Sequence, residues 1–559
     1  MAALGGTGRS GAALTALRRA QRASALARRL GCSVDEADGL GERQPTLSRR
    51  RFLAAAGAAA GAVVLPGAGA GTALAASRRR SETAGKVVIV GAGMAGLGCA
   101  YRLWVDHKIQ ADVYEYDTVA GGRIRTRRDW FADGQIVEEH AEFINPEHTA
   151  TLALARHLGL GLDNTDRYPP GSHGRDETMR FHGQSYSQAT LNEEWHAWGW
   201  ALFHDAAFVK APWPTLYDES TDWARRYDRM SVAEWIDTYI PGGLRSGFGS
   251  VCVAAVLDEY GGPIEEQSAL NVVYLLGQDA SRPDGVQPRA EPQLAGANEK
   301  WHIHGGNDQL VAGLVAGIPP GSINLGWRLA ALRDVGTSSV LCSFERETVV
   351  EEVVADQVVL ALPFTTLRLV DTTGVDISAR HRQAIEQEPL GTNSKMFLQF
   401  DERVWNDEHR SGNVFCSGVV QGGWDPTLYQ AGPAGILAAL PGGEDGQRWG
   451  PRYGLTTYRG EPPPEMVGDF LAGWNVLFPG VKEAYNGRAY YVWSPGDPHI
   501  LGAYSYLKTG QYTAFNGIQG QPEGNLHFAG EHTSVNFQGY IEGALRSGYR
   551  CAAEVARRS

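Results

Sequence analysis

Cysteine is scarce and scattered in this 559-residue chain: Cys32, Cys99, Cys252, Cys342, Cys416 and Cys551, with no C-x-x-C and no tight cluster. A disulfide scaffold and a Cys-rich zinc site both lose their basis. H-E-x-x-H, a P-loop and G-x-S-x-G are also missing, so metalloprotease, P-loop NTPase and serine-hydrolase readings lack their anchors, and no metal is expected. A basic surplus is absent overall. The net charge of −12 argues against a general affinity for nucleic acid. Disorder is excluded in bulk, because 43% of residues are apolar and 20% charged, the balance of a globular protein. The length suggests two large units or roughly three to four of ordinary domain size.

What charge there is lies unevenly. Residues 1–76 hold ten Arg, no Lys and four acids, a net of +6, which leaves −18 on the remainder. Residues 48–53 read SRRRFL, an uncharged Ala/Gly-rich stretch runs from Phe52 to Ala76, and Ala73-Leu74-Ala75 precedes SRRR. Paired Arg, a weakly hydrophobic core and an A-x-A site look like a twin-arginine export signal. Residues 1–76 are therefore expected to be an address read by the twin-arginine machinery, and the protein to be exported, periplasmic or extracellular. The competing reading is a membrane span, but Pro66 and five glycines make the stretch a poor helix. The Arg-rich lead of residues 1–47 is unusually long for such a signal, and a start codon placed too far upstream would also account for it.

Lys86–Val90 is a short apolar run that ends in Gly91-Ala92-Gly93-Met94-Ala95-Gly96. Apolar residues then recur at Met94, Leu97, Tyr101 and Trp104, the spacing of a helix face, and a second run, Ala111–Tyr114, closes on Glu115. Strand, G-x-G-x-x-G, helix, strand and acid make the full dinucleotide fingerprint. Gly91 forms the tight turn, Gly93 admits the pyrophosphate to the backbone, and Gly96 lets helix and strand close. The helix start at Met94 and Ala95 faces phosphate charge, and Glu115 accepts from ribose hydroxyls.

Six residues past Glu115 stands Gly121-Gly122-Arg123. Here the sequence resembles the flavin-containing amine oxidases, whose second fingerprint is a G-G-R in this place. The resemblance continues at His304-Gly305-Gly306-Asn307, at Ala355–Pro363 (ADQVVLALP), at Phe528-Ala529-Gly530-Glu531 with Thr533, and at Gly539-Tyr540 with Gly543-Ala544. It implies an α/β fold in which a Rossmann-like FAD-binding domain (82–150, 300–370 and 495–559) interleaves with an α+β substrate-binding domain (151–299 and 371–494). Ser231–Ile236 reads as a capped helix start, and six tryptophans between 195 and 235 read as core or interface packing.

The same resemblance implies roles. Gly91, Gly93, Met94, Ala95, Gly96, Glu115, Gly121, Gly122, Arg123, Gly530 and Glu531 hold FAD. Lys395 stands where the family keeps a lysine that holds a water against flavin N5, while Tyr504 and Tyr540 match the aromatic pair flanking the substrate amine. His140, Phe143 and Trp493 are expected at the pocket wall. The sequence also departs from the family. Ala503 occupies the position where some members attach FAD through Cys, so FAD is expected without a covalent bond, and His140 replaces the more usual Gly. The implied activity is oxidative deamination of a primary amine by hydride transfer to flavin, giving aldehyde, ammonia and hydrogen peroxide, with molecular oxygen as acceptor. An L-amino-acid oxidase and a flavin-dependent desaturase or isomerase are the alternatives. The stretch between Arg128 and Arg156 holds no Arg to pair with an α-carboxylate, which favours the amine. A homodimer is left open.

Overall fold

The computed structural model describes residues 85–165, 176–277, 299–406 and 410–558, together with Leu17, Arg19, Ala20, Gln21, Ala23, Ser24, Ala27 and Val34. The export stretch around Arg49 and Arg50 lies outside the described residues.

Five short strands form a parallel sheet: β1 (Val87–Val90), β2 (Ala111–Glu115), β3 (Ile323–Leu325), β4 (Gln357–Leu360) and β5 (Leu526–Phe528), in the spatial order β5-β4-β1-β2-β3. β1 and β4 are buried at every position, as their unbroken apolar runs require of strands covered on both faces. Helix α1 (Met94–His107) follows β1 and packs along the C-terminal helix Ile541–Arg558. The strand sequence has a consequence for the site. Segments 87–115, 323–360 and 526–528 are remote in the chain, yet the sheet sets the ends of β1, β2, β4 and β5 side by side, and the ends of parallel strands are where such folds bind ligands.

A second sheet of eight strands is built from 176–186 and 395–492. At its centre the strand Lys395–Phe400 pairs antiparallel with Gly435–Ala439 and Tyr485–Val492, and all six of its residues are buried. Residues 188–277 carry a series of helices joined by loops. The capped start is present: Ser231 Oγ accepts from Glu234 N at 3.1 Å, and Glu234 Oε2 accepts from Ser231 N at 2.8 Å. Trp195 and Trp235 are core residues, whereas Trp223 is 37% exposed. Among the described residues no helix is long and apolar enough to cross a membrane.

Candidate active site

One cavity runs from the Gly91 loop past Arg123 to Tyr504 and Tyr540. Its nucleotide end follows from local backbone rules. Gly91 has φ +105°, and a Cβ there would stand 2.5 Å from the Ala361 carbonyl oxygen. A Cβ on Gly96 would fall 1.9 Å from the Gly91 carbonyl oxygen, so the helix could not lie this close to the turn. The N-cap of α1, Gly93, offers no side-chain acceptor, which leaves the amides of the first turn aimed at the cavity. Such a turn suits an anion. Glu115 is fixed by the Ala92 N–H at 2.6 Å and the Asp117 N–H at 2.8 Å. The two glycine loops are joined by Gly121 N–H to the Ala92 carbonyl, 2.8 Å. Gly91, Gly93, Met94, Ala95, Glu115, Gly121, Gly122, Arg123, Gly530 and Glu531 all line the cavity; Gly96 sits behind it as packing. These residues fit a dinucleotide cofactor: an uncapped helix start for a pyrophosphate, a pinned carboxylate for a ribose, and glycines where a side chain would collide.

Glu531 lines the cavity with both carboxylate oxygens bonded within the chain. Its Oε1 accepts from Arg123 Nη1 at 2.8 Å and from Ser505 N at 3.2 Å; its Oε2 accepts from Ser505 Oγ at 2.6 Å and from Gly539 N at 2.7 Å. Burial alone would raise this carboxyl, but Arg123, His532 and Ser505 together hold it below the ordinary range. Four donors fill the carboxylate. Ser505 and Gly539 are the neighbours of Tyr504 and Tyr540, so one buried carboxylate ties both tyrosine segments to the G-G-R loop.

Lys395 starts the central strand and is 5% exposed. Its Nζ donates to Glu142 Oε2 at 2.8 Å, to the His140 carbonyl at 2.9 Å and to the Glu138 carbonyl at 3.1 Å. Trp424 Nε1 donates to the other Glu142 oxygen at 2.9 Å. No local pattern signals this pairing, because 253 residues separate the partners. Tyr504 donates its hydroxyl to the Asp258 carbonyl oxygen, and Tyr540 donates to Glu259 Oε1. Burial, with Asp258, Glu259 and Glu299 nearby, pushes the Tyr504 phenol well up; burial with Glu259 and Glu299 does the same for Tyr540. Both rings line the cavity, as do His140 and Phe143. Burial pulls the His140 imidazole down to about 4, so it is neutral at pH 7.

The structure does not bring Trp493 to the cavity wall. Its indole rests on Gly450 and Gly496, where a Cβ would come within 2.1 Å and 2.2 Å of the ring, and the space those glycines leave is what holds it. Asp258, Glu259 and Trp424 line the cavity and were missed. The signal for two of them was present: Asp258-Glu259 is an acidic pair at the end of the otherwise apolar helix Gly247–Tyr260.

The family model for flavin containing amine oxidoreductase matches residues 94–556. The chain belongs to this family. It is an oxidoreductase acting on amines, and its cofactor is FAD. Among similar proteins, the L-amino acid dehydrogenase of Synechocystis sp. is 22% identical over 84% of this chain and 94% of its own length. Amine oxidase [flavin-containing] B of Sus scrofa is 25% identical over 84% of this chain and 85% of its own. The solved structure of cyclohexylamine oxidase from Brevibacterium oxydans IH-35A superposes with a TM-score of 0.70 at 21% identity, covering 85% of this chain and 99% of that one. Within the family fold, one cavity is lined by the glycine loops and by the two tyrosines.

Proposed function

We propose that this amine oxidoreductase deaminates a primary amine that carries no α-carboxylate. The observation that supports it most is the charge of the tyrosine end. Glu259 and Glu299 line it, with Asp258 beside them, its carboxyl pushed up by burial towards the neutral form. Each cation lining the cavity among the described residues is committed to an acid: Lys395 to Glu142, Arg123 to Glu531, Arg125 to Asp117 and Arg328 to Glu345. A substrate carboxylate would be desolvated beside carboxylates, a cost of several kcal/mol. An amine meets acceptors instead.

FAD, held by the glycine loops and Glu115, would supply the two-electron hydride-acceptor chemistry, with molecular oxygen as the final acceptor and hydrogen peroxide as its product. The chain's residues orient and enclose. Tyr504 and Tyr540, their hydroxyls tied back, present aromatic surface to the amine nitrogen. Phe143 and Trp424 keep the α-carbon out of water. The C–H bond breaks, a C=N bond forms, and the nitrogen gives up its proton; water then adds to the imine and releases aldehyde and ammonia. Phenethylamine or tyramine is expected to reduce the flavin at least ~100-fold more efficiently than phenylalanine or tyrosine, about 2.7 kcal/mol of transition-state preference. Anaerobic stopped-flow bleaching measures this directly, and equal efficiencies would return the amino-acid oxidase as the better reading. Because Ala503 offers no thiol, acid precipitation is expected to leave the flavin in the supernatant; yellow colour retained in the pellet would contradict noncovalent binding. Residues 48–80 support export through the twin-arginine route, which carries folded, cofactor-loaded proteins.

A further inference from the structure

The described residues between Leu17 and Ala27 pack onto the body. Leu17, Ala20, Ala23, Ser24 and Ala27 are helical and at most 3% exposed, and Gln21 is 8% exposed. Positions 17, 20, 21, 24 and 27 follow the i, i+3, i+4, i+7 spacing of one helix face. By the same spacing Arg18, Arg22 and Arg29 fall off that face and Arg28 falls on it. Leu17 and Ala20 belong to the same apolar cluster as Trp195, Phe203, Ala207 and Leu276. Two hydrogen bonds fix the register. Gln21 Nε2 donates to the Leu276 carbonyl at 3.2 Å, and Ser24 Oγ shares a bond of 2.8 Å with His196 Nδ1.

Leu276 lies in the helix Ala269–Gly277. His196 lies in Trp195–Gly199, a π-type segment within the long helical stretch 188–210. A leader that served only as an address would need no such complement, and an untranslated stretch would not carry a buried face in register with it. The charges agree, a basic head of +6 against a body of −18.

We propose that residues 17–27 are a permanent part of the substrate-binding domain, kept with the catalytic body even if the chain is cut at the Ala73-Leu74-Ala75 site. The surface formed by 188–210 and 269–277 is the dock for this basic, amphipathic segment of the same chain. Because twin-arginine transport moves folded protein, the docked helix travels with the enzyme.

The test begins with the full chain unaltered. Hydrogen exchange of the amides at 17–27 is expected to be slowed at least ~100-fold relative to the unfolded chain. Ala20→Glu, which forces a charge into the dock, is expected to lower the Tm by about 3 °C or more, whereas an undocked head would tolerate it. Protein recovered after export from a host with the twin-arginine system should contain the head by intact mass, either on the same chain or as a co-purifying peptide. Unprotected amides at 17–27, an Ala20→Glu variant with unchanged Tm, or exported active enzyme from which residues 1–75 are gone would each overturn the proposal. If Ala20→Glu fails to fold, the exchange and mass measurements on the unaltered protein still decide it.

Discussion

At the scale of single residues, Lys395 shows how a charge survives inside an apolar strand. Burying an ammonium is tolerated only when its donors are met and its charge balanced, and three acceptors with Glu142 among them do both. All three donors go to the chain itself, so Lys395 also fixes the 138–142 segment at the cavity wall. Lys395→Met is expected to leave FAD bound, to slow flavin reduction at least ~10-fold, about 1.4 kcal/mol of barrier, and to lower the Tm because the Glu142 carboxylate loses its cation. Adding Glu142→Gln should recover part of the Tm but not the rate. Thermal melts and anaerobic reduction of the two variants check this, and a double variant as unstable as the single one would refute the charge-balance account.

At the scale of elements, what could be read from the sequence was what local rules specify. The Gly91 turn, the start of α1, the acid at the end of β2 and the Ser231 capping box depend on neighbours a few residues apart, and each forms as its spacing dictates. Side-chain direction across remote segments could not be read. Trp493 stands beside a cavity strand, but the glycines at 450 and 496 draw its ring into the neighbouring core, and only tertiary packing tells which way it turns. Glu531 sits in a recognised motif, yet its partners Ser505, Gly539 and Arg123 come from three other places in the chain. That arrangement carries a prediction. Glu531→Gln leaves Arg123 without its counter-charge and weakens the hold on both tyrosine segments; the cost is expected near ~3 kcal/mol of stability, with kcat/KM for the amine down at least ~10-fold. Ser505→Ala removes one donor only and should cost about 1 kcal/mol. Melting curves with steady-state kinetics compare them, and equal effects of the two substitutions would mean that the carboxylate is not the organising group.

At the scale of the whole molecule, stability depends on pH through groups buried far from one another, and their signs oppose. Burial pushes the Asp258 and Glu388 carboxyls well up. Each therefore favours the folded state below its unfolded pKa, and that contribution is lost as pH rises through the folded value. His148 works the other way. It is 1% exposed, its Nδ1 accepts from the Asn145 N–H at 3.1 Å, and its ring meets Tyr540 edge-on at 5.0 Å. Burial lowers it to about 4, against 6.5 for an ordinary imidazole. Between those values the unfolded chain takes up a proton that the folded chain refuses, so this contribution is lost as pH falls from about 6.5 to about 4. A single stability curve sums both kinds of group and cannot separate them; a difference between two proteins can. His148→Gln keeps a side-chain acceptor for the Asn145 N–H but cannot titrate. From pH 7 to pH 5 the parent is expected to lose more stability than the variant by up to about 2 kcal/mol, the linkage value for one histidine shifted this far. Urea melts of both proteins at the two pH values give that difference. Parallel losses would show that His148 protonates in the folded state as readily as in the unfolded, and the edge contact that backs Tyr540 would then have to tolerate a charged ring.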